Sequence, residues 1–462
     1  MFSSRTTPWS SPERRSMATS IFLFSALLLA IPAWPQVGNA GGTAASNANS
    51  AQMLMPPPVS DVGFPVETGA EERSNYLSGG VTFNGGYVNN LYPGYGATSI
   101  NDALYLVQPT ISADHTTDRS HETFTYTPAF TFYDPNSTLN FVDQSGSAAL
   151  QYRLSPHVNI VAGDSVAKTS DTLTEPLSSA SVSGGLPPVT PGIIFPFAPQ
   201  LSNSAYAQLG WQLSMNDMLG FGGITALFDF SNTSESQGMY NSNSRGGSAF
   251  YTHRLAERQY IGATYQYSEI AATPVTADGA AEADLDANNL LGFYTVYLKP
   301  TLSLSLGGGS QYYKITQAPL ASAEGWAPSA IGSLGWQGLH TSFAVSCSRQ
   351  VTESEGIVGA YSANSASVSG RWQVSQNWTT SLGGNYSDLA TVAQSFAGSL
   401  PGGHTLSGTA SVGRMLGQRL SFVIQYQRLH QDYSDIPAIS NDPNSSRESG
   451  SITYHFSRPL GR

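Results

Sequence analysis

Residue types able to do chemistry are few in this chain, and they are scattered. Eight histidines stand at 115, 121, 157, 253, 340, 404, 430 and 455, none in an HExxH or beside a CxxC. His340-Thr-Ser342 sets an imidazole two residues from a hydroxyl, the pair a nucleophile needs. It lies beside a turn between two alternating segments, where a hydrogen-bonded polar turn accounts for it. Asp284-Leu-Asp-Ala-Asn288 opens like a calcium loop but lacks the glycine and the distal glutamate, so it reads as a solvated acidic loop. Cys347 is the single cysteine, which leaves no internal disulfide and no thiolate metal site. No G-x-S-x-G elbow, phosphate loop or dinucleotide fingerprint occurs. The sequence therefore predicts no catalytic residue, no metal and no cofactor, and points away from an enzyme.

Composition narrows the class. Charged residues make only 11 % of the 462 residues, less than half the usual share of about a quarter. Glycine numbers 46, tyrosine 23 and phenylalanine 20, while mean hydropathy is −0.16. There is no G-X-Y period, no heptad pattern and no second long apolar run, which excludes collagen, a coiled coil and a helical membrane bundle. A net charge of −11 argues against a nucleic-acid partner, since binding phosphates requires clustered Lys and Arg.

The N-terminus carries an address. Arg14 and Arg15 precede the apolar run Ile21 to Ile31, and small residues follow near Ala33 and at Val37 to Ala40. Positive charge, a short apolar segment and a small-residue exit predict a cleaved secretory signal peptide over 1–40. Residues 41–77, small and polar around Pro56-Pro57-Pro58, predict a periplasmic linker without a fold of its own.

From residue 78 to 462 the chain alternates apolar and polar with period two, the mark of half-buried strands. In Glu122 to Phe132, Phe124, Tyr126, Phe130 and Phe132 share one face while Thr123, Thr125, Thr127 and Thr131 share the other. Pro128 removes a donor and predicts a bulge there, and the change of apolar face near Gly222-Gly223 predicts another. Turns are expected near Asp118, Ser155, Asn216, Glu257, Pro300, Leu339, Gln376 and Gln418. Their spacings are 37, 61, 41, 43, 39, 37 and 42, and the long interval contains the proline-rich stretch 175–199. The unit is thus strand, tight turn, strand, long loop. Eight such units plus one strand before and one after give about 18 strands, with 16 to 18 as the range.

A period near 40 also suits a β-propeller, but a blade needs four short strands where each unit here offers two long ones. Long alternating strands suit an all-β transmembrane antiparallel barrel with short periplasmic turns and long extracellular loops. In hydrocarbon every backbone N–H and C=O must be paired, so a sheet can cross only if it closes. Tyr152, Trp211, Tyr260, Tyr297, Trp336, Trp372, Trp378, Tyr454 and Phe456 are expected to form an interfacial aromatic girdle. Thr123, Thr125, Thr127, Gln151, Arg153, Gln208, Gln212, Ser346, Gln425 and Gln427 are expected to line the lumen. Cys347 is expected to face lipid. Plug candidates are the linker and the long loop 170–203.

The region 78–457 resembles the bacterial outer-membrane β-barrel, porin-type superfamily. The C-terminal Ser451-Ile-Thr-Tyr454-His-Phe456 resembles the alternating aromatic signal such proteins present to the barrel-assembly machinery, with Gly450 one place early and six residues following. Val81 to Asn90 has a short similarity to barrels linked to exopolysaccharide export. The resemblance implies residence in the outer membrane among lipid and lipopolysaccharide, assembly through the last strand, and compatibility with a homo-oligomer. The expected function is passive diffusion of small hydrophilic solutes through a polar, weakly charged lumen. The alternative is an exopolysaccharide-export component or a surface-structural barrel without transport.

Overall fold

The computed structural model describes residues 75–89, 101–170, 199–231, 240–275, 282–317, 322–354, 357–392, 402–433 and 444–459. The signal peptide, the linker as far as residue 74 and most of the 170–203 loop lie outside them, while Tyr76 and Leu77, expected in the linker, already pair in the first strand. Eighteen strands make one antiparallel sheet. In chain order they are β1 (Tyr76–Asn89), β2 (Asp102–Thr116), β3 (Ser120–Asp134), β4 (Phe141–Ser155), β5 (Val158–Thr169), β6 (Gln200–Gln212), β7 (Asp217–Phe230), β8 (Tyr240–Ala256) and β9 (Gln259–Pro274). There follow β10 (Ala283–Lys299), β11 (Leu302–Gln317), β12 (Ala323–Gln337), β13 (Thr341–Ser354), β14 (Ile357–Ser375), β15 (Trp378–Thr391), β16 (Gly403–Met415), β17 (Leu420–Tyr433) and β18 (Asn444–Pro459).

Each strand pairs with its sequence neighbours, and β1 pairs with β18 from Tyr76↔Pro459 to Asn89↔Ser446, so the sheet closes into a barrel. Closure leaves no sheet edge at the chain ends. All eight expected turns fall at the connections of one end, and β1 begins and β18 ends there too. That end is called the short-turn end below, and the opposite one the long-loop end.

Two local expectations are corrected. Pro128 causes no bulge. It stands opposite Pro109, and the β2–β3 ladder breaks between Val107↔Phe130 and Ile111↔Tyr126, then resumes in the same register. Two prolines facing each other remove two donors at one level, which interrupts the hydrogen bonding without inserting a residue. At Gly222-Gly223 the β6–β7 and β7–β8 registers run straight through. The apparent change of face comes from Phe228 and Phe230, which are apolar residues on the interior face.

Candidate functional site: an interior closed by an inturned hairpin

Alternation sorts the side chains into two faces. Phe83, Tyr105, Phe124, Phe132, Ile424 and Ile452 are among many large apolar residues exposed on the outside. Trp336 and Trp326 are both exposed on that face of β12, ten residues apart. At about 3.3 Å per residue and a tilt of about 40°, that spacing spans roughly 25 Å, the height of a hydrocarbon band. A belt of this kind is matched to lipid rather than to water. Tyr152, Trp211, Trp336, Trp372, Trp378, Tyr454 and Phe456 lie on the outer face near the short-turn end. The Arg414 guanidinium sits 5.1 Å from the centre of the Trp378 ring. Cys347 is exposed on the same face.

Tyr260 and Tyr297 depart from the girdle expected of them. Both lie on the interior face, Tyr260 only 2 % exposed, packed edge to face with each other and against Met218 and Phe250. Proximity to a turn suggested a girdle, but the phase of β9 and β10, fixed by outward Ile261 and Tyr294, turns both inward.

Thr123, Thr125, Thr127, Gln151, Arg153, Gln208, Gln212, Ser346, Gln425 and Gln427 all stand on the face opposite the belt. Toward the short-turn end this interior is largely polar, apart from the buried cluster of Met218, Phe250, Tyr260 and Tyr297. Gln151 and Arg153 are exposed, and Thr123, Thr125, Gln425 and Gln427 are half-buried. Cross-strand hydroxyl pairs pave it: Ser346···Ser367 and Ser381···Ser411 at 2.6 Å, Thr295···Ser305 at 2.8 Å, and Thr82···Thr453 at 2.9 Å. Each hydroxyl finds its partner on the next strand because the register sets them directly opposite, so little charge is needed to keep the wall satisfied.

Toward the long-loop end the same face becomes dry. Along β3, Thr127, Ala129, Thr131 and Tyr133 are all buried; along β17, so are Leu429, Gln431 and Tyr433. Against β17, β10 and β11 the covering layer is the far end of the β13–β14 hairpin, whereas Tyr133 of β3 packs with Val88, Leu104, Leu139 and Phe141. The β12–β13 ladder runs only from Gln337↔Ser342 to Ala330↔Arg349, eight pairs, whereas the flanking β11–β12 and β13–β14 ladders carry fourteen each. Beyond Ala330 and Arg349 the two strands part, leaving Ala323–Ser329 of β12 without β13 beside them.

Val351 and Ala360 show where the hairpin goes. By alternation both belong to the outward phase, with Phe343 and Val345 on β13 and Val368 and Trp372 on β14. Yet Val351 is 3 % exposed and Ala360 0 %, and both pack with Leu285 of β10 and Ile315 of β11, next to Tyr313, Ala323 and Ala327. Those are interior-face residues of the β10–β12 wall. The outward face of the hairpin therefore lies against the inner face of the wall, so the hairpin has tucked behind β12. Its other face carries Tyr361 and Ala363, which pack against Phe230 of β7, Leu389 of β15 and Tyr433 of β17. Tyr433 is held by a 2.8 Å hydrogen bond shared with Thr405. The hairpin thus bridges strands from well-separated parts of the circumference.

A local cause sits at the fork. Extending the β12–β13 register past Ala330↔Arg349 would set Pro328 opposite Val351. Proline has no N–H to give the Val351 carbonyl. The Gln311 carboxamide of β11 takes the missing strand's place: its Nε2 donates to the Val351 carbonyl at 2.7 Å, and its Oε1 accepts from the Val351 N–H at 2.8 Å. Gln311 and Pro328 escaped the sequence reading. The available signal was a proline inside an alternating strand that is not at an edge. The expected plugs, the linker and the 170–203 loop, fall almost wholly outside the described residues. Among the described residues no group of histidine, cysteine, aspartate or glutamate is placed to hold a metal.

No family model matches the sequence, and no curated protein matches it. Solved structures do. The ferric citrate transporter FecA, in its unliganded form, is similar at 9 % identity with a TM-score of 0.44, over 82 % of this chain and 64 % of that one. This chain thus spans under two thirds of FecA's length. OpdK, an outer membrane protein of Pseudomonas aeruginosa, is similar at 11 % identity and a TM-score of 0.39, over 83 % of this chain and 99 % of its own. OccK2 (OpdF) of the same organism is similar at 10 % identity and a TM-score of 0.42, over 83 % and 98 %.

Proposed function

We propose that this chain is an outer-membrane channel for small hydrophilic solutes, with a hydroxyl-paved vestibule at the periplasmic, short-turn end and a mouth closed by the β13–β14 hairpin. The observation that carries this reading is the change along the interior face, from a largely Thr, Ser and Gln wall to apolar side chains packed on both faces of the hairpin. A wall of neutral hydroxyls and amides can trade hydrogen bonds with a hydrated solute at little cost and offers ions of either sign no strong site. An eighteen-strand barrel is wide enough for an aqueous lumen once nothing fills it. The outer belt is suited to lipid and lipopolysaccharide. The outward Tyr454 and Phe456 of β18 would serve as the assembly signal, and a secretory leader would deliver the chain. Diffusion is passive in this reading.

The test is planar-bilayer recording on two proteins: the unaltered barrel, and one in which residues 351–362 are replaced by Asn-Gly, a two-residue turn that joins the paired Gln350 and Ala363. Larger and more frequent conductance steps are expected from the shortened barrel, with sugars of graded size entering it in swelling assays. A folded, shortened barrel that passes no current would refute the channel.

A further inference from the structure

Resting on that reading, we propose that Gln311 is the latch of the gate. Its carboxamide holds the β13–β14 hairpin inside the lumen, and release lets the hairpin return to the wall between β12 and the rest of β14. Three observations carry the proposal. First, the two Val351 backbone groups that would face β12 are both satisfied by one side chain, Gln311, from two strands away. This is a strand-like pairing made by an amide, and a single side-chain rotation can undo it.

Second, the hairpin is suited to both places. Val351 and Ala360 are on the lipid-facing phase and are apolar, so these two side chains suit the outer face as well as the inner wall. Tyr361 and Ala363 stay on the interior phase in either position. Third, the wall keeps a place for it. Ala323–Ser329 of β12 remain paired to β11 on one side only, so the returning segment Gln350–Ser354 finds a strand already extended. Pro328 biases the choice. In the returned position it would face Val351 and could accept but not donate, leaving the Val351 carbonyl short of a bond that Gln311 provides in the tucked position. The closed state is thus favoured by packing on both faces of the hairpin, by a proline on the wall and by a glutamine in the lumen.

The experiment compares single-channel open fractions of four full-length proteins with that of the 351–362-shortened barrel. Gln311→Ala removes the latch. Pro328→Ala restores the wall's donor and reaches the same end through a different atom, so a folding defect in one leaves the other as a readout. Each is expected to raise the open fraction about ten- to a hundredfold, the worth of one or two buried hydrogen bonds. The third protein, Cys347→Ser with Ile315→Cys and Val351→Cys, joins two neighbours of one buried cluster. Oxidation is expected to abolish opening and added thiol to restore it. The unaltered protein is the fourth. If the shortened barrel conducts while Gln311→Ala and Pro328→Ala gate like the unaltered protein, or if the oxidised cross-link leaves conduction unchanged, the latch is wrong and the channel stands. If the shortened barrel is silent, the channel reading itself falls.

Discussion

The two halves of the interior are built on the same strands yet obey different physics. Near the short turns, residues in phase with the lumen are largely Ser, Thr and Gln, several of them satisfied by partners on the next strand, with one buried apolar cluster around Tyr260 set among them. Near the long loops the same phase carries Leu104, Leu285, Leu389 and Tyr433, buried to nearly the degree of a soluble core. The hairpin supplies a second layer over Leu285, Leu389 and Tyr433, and Leu139 and Phe141 cover Leu104. A barrel wall alone has no second layer to pack against, so its interior must be wet. Once a β-hairpin folds inside, wall and hairpin become two stacked layers and can bury apolar faces against each other. The teaching is that a strand's interior phase need not be uniform, because burial is set by what stands opposite.

The contrast can be broken from either side. The largest effect is expected at the dry end. Phe230→Ala empties part of a cluster that joins β7 to the hairpin, and core truncations of this size cost about 3–5 kcal/mol. The checks are a lowered unfolding temperature in detergent and a raised open fraction in bilayers, together. A smaller and more pointed test uses neighbours in sequence on opposite faces. Ile424 is exposed on the belt and Gln425 faces the lumen. Ile424→Arg should destabilise the membrane-inserted barrel by about 2–4 kcal/mol, while Gln425→Arg should leave stability nearly unchanged and shift the channel toward anions. Equal costs at the two positions would dissolve the distinction between inside and outside. The smallest effect belongs to Tyr433→Phe, which deletes the hydrogen bond shared with Thr405 while keeping the ring, at about 1 kcal/mol. Its check is urea unfolding, in which the Thr405→Val, Tyr433→Phe pair should cost less than the sum of the singles.

Much of the fold was legible in advance because it rests on local chemistry. Alternation around Glu122 to Phe132 and the eight turns needed only neighbours along the chain, and the strands and connections fall there. The misreadings are those in which an interior phase carries an apolar residue. Phe228 and Phe230 looked like a register slip, since apolar was equated with outside. Tyr260 and Tyr297 looked like a girdle because they stand beside turns, although they face Met218 and Phe250 within. Pro128 looked like a bulge because its partner, Pro109, was not known to stand opposite.

By itself the sequence determined the strand period, the turn positions, the number of strands and the sparse charge. These follow from backbone geometry and from solvent preferences that repeat every two residues. Tertiary structure alone decided that β13 leaves β12 after Arg349, that Val351 and Ala360 turn from lipid to the inner wall, and that Gln311 meets a backbone forty residues away. No local pattern encodes such a choice. It depends on which backbone donors are present across a ladder, and on whether a second layer exists to receive an apolar face.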